Sequence, residues 1–250
     1  MKTSSPSPPP DFDARGLTLV MPERGDVERD AVARAWRQAG GDVLKLGRFW
    51  QPPPLNPTTV RLYGNETFCR VLEQILGLRL LGPDDRALLH TPQPLLRRSI
   101  TGAALADAGA LPYPCFIKSV VPKALAAGVF SHAHALQEAC TGLEGQTALL
   151  VSQVVSFVSE WRVFVLDGQA LDGAIYEGEG GNKDVEQARR FAQRVFEQTP
   201  GLPRALVVDV GQLQDGRWAL IEYNAAWGAG LNGCEASRVL PAIAAASGKV

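Results

Sequence analysis

The segment ALIEYNAAWGAG (219–230) begins as an apolar strand and then sets Glu222 and Asn224 two residues apart. In an extended chain that spacing points both side chains to one face. A second apolar run, RALVVDVGQL (204–213), is interrupted in the same way by Asp209. The connection between the two reads as a hairpin turning at QDGR (214–217), which sets Asp209 opposite Glu222 with Asn224 one same-face step further. Two carboxylates and a carboxamide oxygen are hard ligands suited to Mg²⁺, which keeps waters and accepts further oxygens from phosphates. Lys118 interrupts CFIKSV (115–120), and Glu160 and Arg162 open EWRVFV (160–165), again two apart. A charge in a strand is ordinarily a solvated face. So many in one half of the chain also admit convergence on a shared, highly charged ligand, because burying unpaired charge is costly. Lys118 and Lys123, on a loop ending LAAGVF (125–130), supply the complementary cations, so the implied ligand is a magnesium nucleoside triphosphate. Neither a Walker loop nor the kinase H-R-D and D-F-G set is present, so another nucleotide fold is required.

The elements that must position these residues fall into two halves. In the first, strand patterns at 16–22, 42–47, 59–64 and 78–83 alternate with amphipathic helices at 26–40 and 65–77, a rhythm that predicts a small parallel sheet covered by helices. No G-x-G-x-x-G follows the first strand, which argues against a dinucleotide site of that type. From about residue 84 the character changes to α+β. Helices are expected over 94–109, 131–143, 184–199 and 235–246, and strands over 113–123, 147–158, 160–168, 169–178, 204–213 and 217–224. No internal repeat is evident.

Composition places the chain among ordinary globular proteins: 250 residues, 46% hydrophobic, 20% charged and a formal net charge of -1. That balance carries no general attraction to nucleic acid or to an anionic membrane. The opening MKTSSPSPPPDFDARG reads as a Ser/Pro-rich flexible lead-in without the apolar centre of a signal peptide, and no apolar run approaches the roughly 20 residues of a bilayer span. Cys69, Cys115, Cys140 and Cys234 are scattered without a C-x-x-C pair and read as reduced core thiols of a cytoplasmic protein. His132 and His134 are two apart on an expected helix and do not share a face, so a metal site there is not indicated. Tyr176 reads as a strand residue with its hydroxyl at the surface, and GEGGNKD (178–184) as a connector that brings Asn182 and Lys183 toward phosphate only in a second reading.

Taken together, the segments FIKSVVPKALAAGVF, LLVSQVVSFVSEWRVFVLDGQAL and LVVDVGQLQDGRWALIEYNAAWGAGLNGC, in that order, resemble the ATP-grasp superfamily, and within it the small R-two-K type clade, a resemblance that implies a carboxylate–amine ligase. The resemblance spans residues 17 to 246. It implies an α+β fold of antiparallel sheets and helices sandwiching ATP (91–250), preceded by a small Rossmann-like α/β subdomain (17–90) and the lead-in (1–16). It also implies roles. Lys118 resembles the strand lysine that reaches the ATP phosphates, and Lys123 the second basic residue of the clade. Arg98, in preference to its neighbour Arg97, resembles the basic residue replacing the usual first lysine. Gln153, Val154 and Val155 match the hinge that meets the adenine edge, Glu160 the acid on the ribose hydroxyls, and Arg162 an arginine facing the phosphates. Asp209, Glu222 and Asn224 resemble the magnesium ligands. Trp227 stands where relatives often bind the acceptor, and reads either as packing or as a stacking platform. The loop SVVPKALAAGVF is shorter and less glycine-rich than the phosphate lid of many relatives.

The activity so implied is an ATP-dependent carboxylate–amine ligase working through an acyl phosphate, with ATP and Mg²⁺ as cofactors and small-molecule or peptide carboxylates and amines as substrates. A homodimer is among the assemblies the resemblance allows. Two rivals stand beside it: phosphoryl transfer to a hydroxyl, and a nucleotide-binding module without turnover.

Overall fold

The structure, a computed structural model, describes residues 12–121 and 124–249. The expected lead-in falls, over residues 1–11, outside the described residues, as does Lys123. The chain begins with β1 (Thr18–Pro22), α1 (Val27–Gln38), β2 (Asp42–Leu46), β3 (Val60–Leu62), α2 (Glu66–Leu76) and β4 (Leu78–Leu80). Both helices start on a side-chain cap, Asp26 accepting from the Arg29 N–H and Asn65 from the Phe68 N–H. Such a cap satisfies an amide the first turn leaves orphaned. The strands form a parallel sheet in the order β2-β1-β3. Leu19, Val20, Trp36, Leu62, Phe68 and Leu72 fill the core between this sheet and its helices.

The fourth strand departs from the expected parallel sheet. β4 pairs antiparallel with β13 (Ser247–Lys249), a strand the sequence pattern did not suggest. The Ser247 hydroxyl then accepts from the buried Leu62 N–H at 2.8 Å, so the C-terminal segment satisfies the outer edge of β3.

The second half is built from two antiparallel sheets. After two short helices, α3 (Ala87–His90) and α4 (Gln93–Leu96), the first sheet takes β5 (Ile100–Ala104), β6 (Cys115–Ser119), β7 (Gly128–Phe130) and β8 (Ala148–Gln153), in the order β5-β8-β6-β7. The helix expected over 94–109 is therefore largely wrong. Ile100–Ala104 is a strand on β8, and only 93–96 and a 3-10 turn at 105–110 are helical. Local Ala- and Leu-rich propensity favoured helix, and edge pairing overrode it. Helix α5 (Ala133–Ala139) covers one face of this sheet, where Cys115, Ile117, Leu149 and Val151 pack on Leu136.

The second sheet takes β9 (Phe157–Leu166), β10 (Gln169–Gly178), β11 (Ala205–Leu213) and β12 (Trp218–Asn224), in the order β10-β9-β11-β12. Helix α6 (Asn182–Gln198) buries Ala188, Phe191, Ala192 and Val195 against Val163, Val165, Leu206, Val208, Val210 and Leu220 on one face. Ala205, Val207 and Phe164 on the opposite face join the N-terminal core together with α7 (Ala236–Ala245). Among the described residues no helix is long and apolar enough to cross a membrane.

Ser247→Ala should leave the buried Leu62 amide without a partner. A loss of about 1–3 kcal/mol is expected, read as a lower urea midpoint with an unchanged m-value.

Candidate active site

Strict alternation aims the cavity-facing residues of the first sheet. Because Cys115 and Ile117 pack toward α5, Phe116 and Lys118 point the other way, and because Leu149 and Val151 do the same, Leu150 and Ser152 face the cavity. On the second sheet, β9 sends Trp161, Val163 and Val165 to α6, which leaves Glu160 and Arg162 on the opposite face with Phe164.

β12 needs a further device. Leu220 packs toward α6, and simple alternation would send Glu222 and Asn224 there as well. Instead the ladder slips: Val210 pairs with Leu220 but Asp209 pairs with Glu222, so Ile221 is an extra, bulged residue. The bulge reverses the phase. Glu222 and Asn224 thereby join Asp209, which stands opposite Arg162 on the neighbouring β9.

These side chains are bonded to one another. Arg162 grips Asp209 bidentately, Nε to Oδ1 at 2.9 Å and Nη2 to Oδ2 at 2.6 Å, and its Nη1 donates to the Gly230 carbonyl at 3.0 Å. Asn224 Nδ2 lies 3.0 Å from Asp209 Oδ2 and 3.2 Å from Glu222 Oε1. Lys118 Nζ reaches across from the other sheet to Glu222 Oε2 at 3.2 Å. Asp209 is 1% exposed, and burial lifts its carboxyl above the usual range while the Arg162 guanidinium pulls the other way. Burial works against the Arg162 charge too, but the hydrogen-bonded Asp209 outweighs it and holds the guanidinium protonated.

Tyr176 is a correction. It sits at a register shift between β10 and β9, and its hydroxyl donates to Glu160 Oε2 at 2.8 Å instead of facing solvent. The Arg162 guanidinium stands 5.9 Å from its ring centroid. Burial raises Glu160 above the ordinary carboxylate range. A register shift of this kind leaves no mark in the alternation pattern, which is why the sequence missed the residue.

Two cavities meet at the Lys118–Glu222 pair. One, of about 390 Å³, lies between the sheets and is lined by Gln153, Val154 and Val155 at one end, by Ile100, Phe116, Leu150 and Ile221 on its walls, and by Glu160 and Tyr176. The other, of about 510 Å³, opens on the far side of the same pair and adds the α2 cap Asn65, Glu66 and Arg70 from α2, Asp84 and Asp85 from the connector, and Trp227. Trp227 is 5% exposed and belongs to the core, yet it also lines this cavity, with the Arg70 guanidinium 5.4 Å from its ring centroid.

The turn after Asn224 is held from both halves. Glu28 on α1 accepts from the Leu231 N–H at 3.0 Å and the Asn232 N–H at 2.7 Å, and Tyr63 donates to the Ala229 carbonyl at 2.8 Å. A Cβ at Gly230 would stand 2.5 Å from Glu28 Oε2, so a side chain there would push the Glu28 carboxylate off these amides.

The remaining expected residues fall as follows. Arg97 is an exposed helix cap with φ of 55°, whereas Arg98 is buried and lines the first cavity. Asn182 and Lys183 open α6 and line neither cavity. His132 caps α5, its Nδ1 accepting from the Ala135 N–H. All four cysteines are buried free thiols.

A two-sheet clamp of this kind has close structural counterparts. The RimK domain protein ATP-grasp from Sphaerobacter thermophilus DSM 20745 superposes with a TM-score of 0.57 at 16% identity, covering 83% of this chain and 90% of that one. The L-amino acid ligase from Bacillus licheniformis gives 0.60 at 12% identity over 94% of this chain and 77% of that one. The carboxyaminoimidazole ribonucleotide synthase from Aspergillus clavatus, complexed with ATP, gives 0.58 at 12% identity over 91% and 77%. At such identities the likeness establishes the fold, which is that of the ATP-grasp proteins. Residues 95–242 match the model of the ATP-grasp domain, R2K clade family 2, and the chain belongs to that family. No curated protein matches its sequence.

Removing one member of the Arg162–Asp209 pair should strand the other. Asp209→Ala or Arg162→Met alone is expected to cost about 3–5 kcal/mol in chemical unfolding, and the double variant clearly less than the sum.

Proposed function

We propose that this protein is an ADP-forming ligase that joins a carboxylate to an amine through an acyl phosphate. The observation that supports this reading best is the meeting of two cavities at one ion pair, Lys118–Glu222. A nucleotide lying with its base between the apolar walls and against Gln153–Val155 would bring its phosphates to that pair. The larger cavity then takes the groups to be joined, with Arg70, which also holds Glu73, offering its remaining N–H groups to a carboxylate, and Asp84 and Asp85 placed to take a proton from the amine. Glu160 would accept from the ribose hydroxyls.

The donor set fits a magnesium ion. Glu222 and Asn224 offer hard oxygens at the cavity wall, Asn224 after rotation of its amide. Asp209 lies behind them; its Oδ1 keeps a second lone pair beyond the Arg162 bond, and its Oδ2 would regain one as the Asn224 amide rotates. When bound, the ion supplies Lewis-acid screening of the transferred phosphoryl group. The protein itself orients and neutralises. Lys118, and Lys123 by family analogy, would balance charge as the substrate carboxylate oxygen forms its bond to the γ-phosphorus and the bridging oxygen leaves on ADP, with Arg162, which lines neither cavity, acting from beneath through Asp209. The neutral amine nitrogen then attacks the acyl carbon, phosphate departs with the bond pair, and the nitrogen gives up its proton to Asp84, Asp85 or solvent. No protein nucleophile is required.

With Mg·ATP and a pool of amino acids and small peptides, ADP formation should exceed the rate with ATP alone, and Glu222→Gln should lower it by about 10²–10³-fold. A phosphorylated hydroxyl product without an amide would replace the ligase by a kinase. ATP binding without stimulated turnover would favour a module. Tyr176→Phe should weaken ATP binding roughly fivefold, through loss of about 1 kcal/mol at Glu160, with a smaller effect on 2′-deoxy-ATP. An equal loss for both nucleotides would separate Tyr176 from the ribose.

A further inference from the structure

Arg98 is 7% exposed, and four of its five N–H bonds are spent on uncharged protein groups. Its Nε donates to Ser152 Oγ at 3.0 Å, its Nη1 to the carbonyls of Leu96 (3.1 Å) and Leu220, and its Nη2 to the carbonyl of Ile221 at 2.9 Å. No carboxylate is within hydrogen-bonding distance of it among the described residues. Burial pulls the guanidinium down to about 10, still far enough above neutrality to leave it charged. A cation buried among neutral acceptors is an expensive arrangement if its only task is to meet a phosphate.

The identity of the acceptors gives the task. Leu220 and Ile221 are the two residues at which the β12 ladder slips, and β12 is the outer strand of its sheet. A bulge at a sheet edge leaves carbonyls without ladder partners, and the guanidinium fork takes two of them together. That same bulge turns Glu222 from the α6 face to the cavity. On its other side Arg98 holds Ser152, whose hydroxyl donates to the Gln153 carbonyl at 3.0 Å. One side chain thus ties the hinge of the first sheet to the bulge of the second. We propose that Arg98 is a positioning residue that fixes the Ile221 bulge, and with it Glu222, to the Gln153 hinge, and that it is not a phosphate ligand.

This inference rests on the reading of the smaller cavity as the nucleotide site, and the two are separable by experiment. Adenosine, AMP, ADP and ATP are titrated by calorimetry into the wild-type protein and into Arg98→Lys, Arg98→Met and Ser152→Ala. A lysine keeps the charge but not the fork. A clamp therefore predicts that Lys and Met weaken all four ligands by a common factor of about ten, adenosine included. It also predicts that Ser152→Ala does the same to a smaller degree, and adds little on an Arg98→Met background. A loss that grows with the number of phosphates, with adenosine untouched and lysine largely rescuing ATP, overturns the proposal. If the wild-type protein binds none of the four, the nucleotide reading fails. The clamp is then decided by urea unfolding, where coupling between Arg98→Met and Ser152→Ala supports it and strict additivity overturns it.

Discussion

A strand that must be apolar on one face for half its length and polar on that register for the rest cannot be a regular strand. β12 resolves the conflict with one extra residue. Up to Leu220 it serves the core beneath α6, and after Ile221 it serves the cavity. The contacts that Glu222 and Asn224 make depend on that change of phase. Without it Glu222 would turn to the α6 face, Lys118 would lose its hydrogen-bonded carboxylate, and Asn224 would not reach Asp209. The buried Arg162–Asp209 pair beneath is the fixed floor on which this arrangement stands.

The rest of the architecture can be understood as support for that edge. The two antiparallel sheets face each other across the smaller cavity, with Ile100, Phe116, Leu150 and Ile221 on its walls and Lys118, Glu160 and Glu222 among its polar residues. The N-terminal unit closes the other side. Glu28 and Tyr63 hold the glycine-rich turn after Asn224 by its backbone, and Arg162 holds the same turn at Gly230. Charge is distributed so that Asp209 and Glu222 each meet a cation and the Asn224 amide, while Glu160 accepts from the Tyr176 hydroxyl.

Much of this was legible in the sequence where side-chain type and period carry the information. The interruptions at Lys118, Glu160, Arg162, Asp209, Glu222 and Asn224 mark residues that do come together, and most strand and helix positions follow from periodicity. What was not legible depends on backbone. The run at Ile100–Ala104 is composed like a helix and becomes a strand because β8 offers it an edge. Tyr176 faces Glu160 through a register shift that no pattern announces. Arg98 stands out as a buried cation only once its partners are seen to be carbonyls, and carbonyls have no letter in the sequence.

The pairing of β13 with β4 has a consequence for how the chain comes to be folded. The Leu62 amide and the Ser247 hydroxyl that accepts from it are separated by 185 residues. A ribosome will have released the whole parallel sheet long before its outermost neighbour exists. During that interval the edge of β3 and the inner faces of α1 and β4 lack their cover. The nascent N-terminal unit is therefore exposed to misassociation until the C-terminal segment arrives, and the residues of the clamp are all synthesised before that unit can close.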